Sequence, residues 1–224
     1  MTSFELKIVA LISMLCDHTG LVFLGSPTYF NVIGRIAFPI FAFQISEGYT
    51  HTKNLKKYIL RLIIFALTSQ LPFVLFRNSV ELTSFSLNIF FTLLLGLLSI
   101  TIYDKCKYKY FGIIPVFLLV ALASIFKCDY GWYGVTLIFL FHLFKANKLH
   151  MNIAVVCTII IKYLADYIHI HHIYQLYFAI GALISLLFIN LYNNKKGKNI
   201  KYLLYIFYPL HLFILALIKL YIIN

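Results

Sequence analysis

The sequence predicts an all-α, polytopic membrane protein of about nine transmembrane helices, with its N-terminus in the cytoplasm and its C-terminus outside. Of the 224 residues, 62% are hydrophobic and 12% are charged, whereas a soluble domain carries about 25% charged residues. The apolar residues form runs close to the ~20 residues that a helix needs to cross the hydrocarbon core. The stretches between these runs are short, so residues 1–224 are predicted to form one transmembrane domain.

Nine apolar runs account for most of the chain. They cover residues 6–24, 31–50, 58–76, 84–103, 111–126, 130–145, 151–168, 172–192 and 202–222. The fifth and sixth runs are the shortest, so the sequence leaves open whether residues 111–145 form two full spans or a re-entrant hairpin.

The basic residues alternate between the loops and predict the orientation. Lys residues cluster in the second, fourth, sixth and eighth loops, whereas the odd loops are nearly bare of Lys and Arg. An excess of Lys and Arg marks cytoplasmic loops, so the even loops are predicted to lie inside. Because the net charge of +12 is spread in this way, it indicates contact with a lipid bilayer rather than with nucleic acid.

An acid and an imidazole lie side by side in the first apolar run, as Asp17 and His18. An ionisable group at membrane depth costs roughly 2.5–3.5 kcal/mol even on lenient insertion scales, and usually faces protein or a water-filled cavity. A rise of about 1.5 Å per residue places His18 in the outer half of the membrane and His211 near its midplane. The two imidazoles could therefore meet if their helices are neighbours, and Arg35 lies at a height where it could pair with Asp17.

The second loop and the start of the third run form a dense basic segment. Lys57 and Arg61 are four residues apart, which places them on one face of a helix. Such a segment is commonly a topology signal or a contact for lipid headgroups, but it would also bind the phosphates of a nucleotide-like cofactor. The residues considered for this cofactor are Lys53, Asn54, Lys57, Tyr58 and Arg61.

No metal site is expected. The four cysteines are scattered without metal-ligand spacing. His169, His171 and His172 form the one cluster of metal-ligand type, and three histidines in a loop are more often simply solvated.

The residues alone leave two functions open. One is a membrane-embedded group transferase whose histidine deprotonates an acceptor. The other is a transporter in which His18, Glu47 and His211 form a proton or substrate path. The sequence contains no G-x-S-x-G, H-E-x-x-H or Gly-rich phosphate loop, so hydrolase, zinc-protease and Walker-type chemistry lack support.

Several combinations of polar and apolar residues resemble the TraX family of bacterial inner-membrane proteins. They are Asp17-His18-Thr19-Gly20, the run 33–43 with Gly34-Arg35 and Pro39, Glu47-Gly48, the basic segment 54–62, Ser69 with Pro72-Phe73, Asn88 to Leu93, Asp129-Tyr130-Gly131 with Tyr133-Gly134, and Tyr208-Pro209-Leu210-His211. The resemblance covers nearly the whole chain.

The resemblance implies a membrane-embedded acetyltransferase that takes acetyl from cytoplasmic acetyl-CoA. The acceptor would be an amine or hydroxyl at the outer face, such as a pilin N-terminus or a cell-surface glycan. His18 matches the proposed catalytic base, and His211 matches more loosely. With this reading Asp17 and Arg35 hold the geometry, and Arg35, Asn88 and Tyr133 are candidate donors to the oxyanion. A non-catalytic assembly partner remains a third interpretation.

Overall fold

A computed structural model describes residues 1–25 and 27–223, and within these residues the chain forms ten α-helices and no β-strand. The predicted all-α class is therefore confirmed. The helices are α1 Ser3–Phe23, α2 Tyr29–Gly34, α3 Ala37–His51, α4 Leu55–Ser79, α5 Ile89–Lys105, α6 Lys109–Ile125, α7 Gly131–Leu143, α8 Lys148–Ile170, α9 Tyr174–Asn190 and α10 Lys201–Ile218, followed by a π-helical turn at Lys219–Ile223.

The second predicted run, residues 31–50, forms two helices in the structure instead of one. Its helix breaks at Arg35 and Ile36 into the short α2 and the longer α3. Within one continuous helix Pro39 would produce a kink, but here it lies in the first turn of α3. Proline is tolerated there because the N–H groups of the first turn have no partner within the helix. The helix is therefore interrupted at Arg35, four residues before Pro39, and is not kinked at Pro39.

Four helices are long and apolar enough to cross a membrane in the part of the chain that the structure describes. They are α1, α4, α8 and the stretch Tyr202–Ile222, while α6, α7 and α9 are apolar but shorter. With 13 residues, α7 is about 20 Å long, well short of a hydrocarbon core of about 30 Å. The structure thus shows a helical protein of membrane type, and the nine-span topology stays a prediction.

Outward-facing apolar side chains support the membrane assignment. On α6, Phe117 is 69% exposed and Ile125 is 71% exposed, and many other helices carry similar side chains. A water-soluble monomer rarely exposes an extended apolar surface. These helix faces therefore have the composition of surfaces that contact lipid.

The chain divides into two compact units, each built from several stretches. The first unit comprises residues 1–41, 69–84 and 159–224, and the second comprises residues 42–68 and 85–158. The expected single domain over residues 1–224 stays a prediction.

In the first unit, the short helix α2 packs closely against both α1 and α9. A Cβ atom on Gly34 would lie 2.3 Å from Cβ of Asp17, and one on Gly181 of α9 would lie 2.0 Å from the carbonyl oxygen of Val32. Both distances are far inside van der Waals contact, so only glycine allows these approaches. Gly34 thereby allows α2 to approach the part of α1 that carries Asp17, and Gly181 allows α9 to approach the other side of α2.

Gly34→Ala should loosen this packing. The added methyl group meets the Asp17 side chain, so α2 must shift away from α1, at an expected cost of about 1–3 kcal/mol in stability. Thermal unfolding in detergent measures the loss. Gly48→Ala is the matched control, because its Cβ meets chiefly the hydroxyl end of the Tyr58 side chain. Equal melting temperatures for Gly34→Ala and the wild type would contradict the close packing.

In the second unit, α5, α6 and α7 pack on one another, with α7 at the centre. Buried residues occur all around α7 and include Val135, Leu137 and Ile138. Gly96 of α5 lets the two helices approach, since a Cβ there would lie 2.3 Å from Cδ1 of Ile138. Because α7 is largely enclosed by protein, it does not have to be long enough to match the thickness of the lipid core.

Candidate active site

Two imidazole rings from distant parts of the chain meet in the first unit. Nδ1 of His18 on α1 lies 2.7 Å from Nε2 of His211 on α10, and the rings are nearly parallel, with centroids 5.0 Å apart. The His211 ring is 5% exposed, whereas His18 is half-buried. The sequence predicted that these residues could meet, and the structure brings them into direct contact.

The hydrogen bonds define which nitrogen carries each proton when both rings are neutral. Nδ1 of His211 lies 2.7 Å from the carbonyl oxygen of Phe207. A carbonyl can only accept, so Nδ1 of His211 carries the hydrogen and its Nε2 is an acceptor. Nδ1 of His18 must then donate to that acceptor. In this series of hydrogen bonds, Nε2 of His18 is the ring nitrogen whose lone pair remains unused, and it has no hydrogen-bond partner among the described residues.

This arrangement suits a general base. Nε2 of His18 can take a proton, and the resulting positive charge can be shared with His211 through the 2.7 Å bond. In a catalytic triad a carboxylate holds the histidine tautomer. Here a second imidazole does so, and it is held in turn by a backbone carbonyl of its own helix.

Asp17 does not contact His18 but pairs with α2 and the residue that follows it. Its Oδ1 accepts from Nδ2 of Asn31 at 2.8 Å and from a guanidinium nitrogen of Arg35 at 3.3 Å. Nδ2 of Asn31 also donates to the backbone oxygen of Asp17 at 3.1 Å. The predicted pairing of Asp17 with Arg35 is present, and Asn31, which the sequence had not singled out, completes it. These contacts fix the stretch of α1 that bears His18.

Aromatic rings enclose the polar groups. Phe76 meets the His18 ring edge-on at 5.0 Å, and Phe207 stacks on His211 at 4.7 Å. The guanidinium of Arg35 lies 4.7 Å from the centre of the Phe178 ring, which stabilises a cation. The site therefore combines one imidazole nitrogen that has no hydrogen-bond partner among the described residues with an aromatic surround.

The basic segment proposed for a cofactor lies in the second unit, and its members differ in environment. Lys53 and Lys57 are exposed. Asn54 caps the start of α4, since its Oδ1 accepts from the Lys57 backbone N–H at 2.9 Å. Tyr58 is 8% exposed, and the Arg61 guanidinium lies 5.5 Å from its ring centre. The lysines are thus available to an anion, while Asn54 and Tyr58 have structural roles.

Three other predicted residues also lie in the second unit. Glu47 pairs with His51 one helical turn away, at 3.4 Å. Asn88 is the N-cap of α5, accepting from the Phe90 backbone N–H at 3.0 Å and donating to the Ala66 carbonyl at 2.7 Å. Tyr133 is 1% exposed within the α7 core. Of the three candidate oxyanion donors, Arg35 is the one in the same unit as His18.

A second histidine–carboxylate pair, absent from the predictions, lies in the second unit. Nε2 of His142 lies 3.0 Å from Oδ2 of Asp104, and the Tyr49 ring meets the imidazole edge-on at 5.2 Å. His142 is 4% exposed. A spacing of 38 residues gives no local signal, so this pair could not be found without knowing which helices are neighbours.

Asp104→Ala should destabilise the second unit. It leaves the N–H of a buried imidazole without its acceptor, which costs about 1–3 kcal/mol. In detergent, Asp104→Ala should therefore have the lowest melting temperature and the wild type the highest. Asp104→Asn should lie between them, because the Asn side chain keeps an acceptor oxygen. If Asp104→Ala melts with the wild type, the pair does not stabilise the fold.

Among the described residues, no three His, Cys, Asp or Glu side chains are grouped so as to hold a metal ion. His169, His171 and His172 are all exposed. The Cys128 thiol, in the loop between α6 and α7, has its pKa raised to about 11 by burial and then by the nearby Asp129. It is therefore protonated at neutral pH and is not a ready nucleophile.

These features define a class of protein: an all-helical membrane protein with a paired-imidazole site between its first and last long helices. The model of the family described as TraX protein matches residues 3–219. The chain belongs to the TraX family.

One curated relative is a probable fimbrial assembly protein, FimC of serogroup H1, from Dichelobacter nodosus. It is 36% identical over 113 residues, which are 45% of this chain and 46% of the relative. The match thus spans about half the length of the relative. No solved structure shows a significant match to the chain.

Proposed function

We propose that this chain is a membrane-embedded acyltransferase that moves acetyl from cytoplasmic acetyl-CoA to an amine or hydroxyl acceptor at the outer face of the bacterial inner membrane. The observation that carries the proposal is Nε2 of His18, which has no hydrogen-bond partner among the described residues and belongs to a ring that the bond to His211 orients. Membership of the TraX family supports it. The relative's name, a fimbrial assembly protein, supports an acceptor on a fimbrial subunit.

The chemistry follows from that nitrogen. Nε2 of His18 removes the proton of the acceptor as the acceptor attacks the thioester carbonyl carbon. The new bond to carbon forms, the carbon–sulfur bond breaks, and the proton passes from His18 to the departing coenzyme A thiolate. Arg35 is our candidate for stabilising the charge that develops on the carbonyl oxygen.

The donor phosphates are assigned to the basic segment in this proposal. Lys53, Lys57 and Arg61 would bind them, with Asn54 and Tyr58 holding the start of α4 in place. Replacing Lys53 and Lys57 by Gln should raise the KM for acetyl-CoA and leave kcat nearly unchanged, since these contacts bind ground and transition states equally. The opposite split, with kcat lowered alone, would assign the segment to another role.

The proposed topology has nine spans, with the N-terminus inside and the C-terminus outside. It rests on the alternation of basic loops. Cysteine labelling from the outer side at position 108 and at position 172 tests it. Labelling is expected at 172 and not at 108, and the reverse pattern would overturn the orientation.

Purified protein in lipid nanodiscs tests the function directly. With labelled acetyl-CoA we expect turnover, seen as release of free coenzyme A and label on an added acceptor. Stabilisation by coenzyme A in a thermal-shift assay should accompany it. If the protein neither releases coenzyme A nor is stabilised by it, the proposed function is wrong.

A transporter is the second candidate, favoured by the helix break at Arg35 within a polar neighbourhood. Discontinuous helices commonly carry the substrate site of transporters. With this function, His18, Glu47 and His211 would serve a proton or substrate path. It predicts flux of a substrate without any consumption of acetyl-CoA, so the nanodisc assay separates the two.

A further inference from the structure

The buried face of α4 reaches the histidine site of the first unit. Phe76, whose ring centroid lies 5.0 Å from that of His18, is 3% exposed. Phe73 and Ser69 lie three and seven residues earlier and are also buried. Residues at these spacings share one face of a helix. The three side chains therefore form one buried row that ends beside His18.

The polar member of this row is Ser69, whose hydroxyl differs from other buried hydroxyls of the unit. Its side chain is 0% exposed, and its Oγ has no hydrogen-bond partner among the described residues. By contrast, Oγ of Ser79 donates to the carbonyl oxygen of Phe76 at 2.7 Å, and Oγ of Ser185 donates to that of Ala182 at 2.6 Å. A buried polar group without a partner is costly. A partner supplied from outside the chain would therefore be bound favourably at Ser69.

The order of residues along α4 places this hydroxyl on the path of the proposed donor. The basic segment to which the donor phosphates are assigned lies at the start of the helix, before Ser69. Phe76, which contacts His18, follows Ser69 by about 10 Å along the helix axis. A donor that extends along α4 from the basic segment to His18 therefore passes the level of Ser69.

We propose that the Ser69 hydroxyl binds an amide of the pantetheine arm of the acyl donor. This inference rests on the proposed function and adds a donor-binding residue to it. The arm of coenzyme A carries two amides between the pyrophosphate and the sulfur. Inside a membrane protein, an amide that loses its water needs a hydrogen-bond partner from the protein. The O–H of Ser69 supplies one by donating to the amide carbonyl oxygen.

The spacing along α4 selects the amide that is farther from the sulfur. In an extended chain, the carbonyl carbon of the nearer amide lies roughly 5 Å from the sulfur and that of the farther amide roughly 8 Å. With the thioester beside His18, at the level of Phe76, the hydroxyl of Ser69 lies about 10 Å away along the helix. The carbonyl of the farther amide therefore comes within hydrogen-bond reach of Ser69.

Binding of coenzyme A to the Ser69→Ala variant in nanodiscs tests this contact. We expect the Kd to rise about three- to tenfold, as the loss of one hydrogen bond predicts. The ligand-free variant should melt at or slightly above the temperature of the wild type, because the change removes no hydrogen bond within the chain. Ser185→Ala is the matched control. It removes an equally buried hydroxyl that already has a partner, and should leave the Kd unchanged.

Three results would count against the inference. An unchanged Kd in Ser69→Ala would overturn it while the proposed function stands, and would assign at most a water molecule to the hydroxyl. A lower melting temperature of the ligand-free variant would also overturn it, since the hydroxyl would then stabilise the fold. If the wild type does not bind coenzyme A, both proposals fall.

Truncated donors identify which amide is bound. S-acetylpantetheine carries both amides, whereas the S-acetyl thioester of N-acetylcysteamine carries only the nearer one. Ser69→Ala should lower kcat/KM for S-acetylpantetheine about three- to tenfold, chiefly by raising KM, because the contact binds ground and transition states alike. The shorter donor should be turned over equally well by the variant and the wild type. Equal losses with both donors, or no loss with either, would overturn the assignment.

Discussion

We expect His18→Ala to lower the turnover of acetyl transfer at least about a hundredfold. A positioned general base contributes about 10²–10⁴ in rate, and Nε2 of His18 is the nitrogen left open by the chain of hydrogen bonds from Phe207 through His211. His211→Ala keeps that nitrogen but removes the acceptor that orients it, so a smaller loss is expected. Release of coenzyme A by purified protein measures both.

His142→Ala is the matched control for this prediction. It removes another buried imidazole with a polar partner, from the second unit. It should lower the melting temperature while retaining turnover below that temperature. Full turnover in His18→Ala would end the proposed mechanism, whatever the control shows.

The second large effect is a loss of folding stability, which we expect from Asp17→Ala. The change removes the carboxylate that accepts from both Arg35 and Asn31, although Asn31 keeps its bond to the backbone oxygen of residue 17, and the Arg35 side chain is only 23% exposed. Removing one partner of a buried ion pair costs about 3–5 kcal/mol. We expect about 3 kcal/mol, the lower end, because Arg35 keeps part of its contact with solvent.

A double-mutant cycle separates charge from packing. Arg35→Met together with Asp17→Ala leaves no unpaired charge, so the double variant should be more stable than Asp17→Ala alone. It should remain inactive, since Arg35 is our candidate oxyanion donor. If the double variant is no more stable than Asp17→Ala, the ion pair does not hold α1 against α2.

The sequence was informative about features that depend on one helix at a time. Apolar runs located the helices to within a few residues, and counting 1.5 Å per residue placed His18 and His211 near enough in height to meet. Asp17 and Arg35 were paired by the same reasoning. These predictions succeed because depth along a helix follows directly from position in the chain.

Features that depend on which helices are neighbours were missed. The sequence does not say that α2 lies between α1 and α9, so Asn31 and Gly181 carried no signal. His142 and Asp104 belong to different helices for the same reason. The break at Arg35 was also missed, because Pro39 is compatible with either a kinked helix or a fresh first turn.

The bond between His18 and His211 joins residues 193 positions apart, and this separation bears on how the protein matures. Contacts between distant parts of a chain form late, because closing a long loop must be compensated by structure already present. A partly inserted polypeptide therefore carries His18 without the ring that orients it. His18 is oriented by its partner only once α10 has joined α1, so under the proposed function we expect an immature chain to be less active, as in the His211→Ala variant.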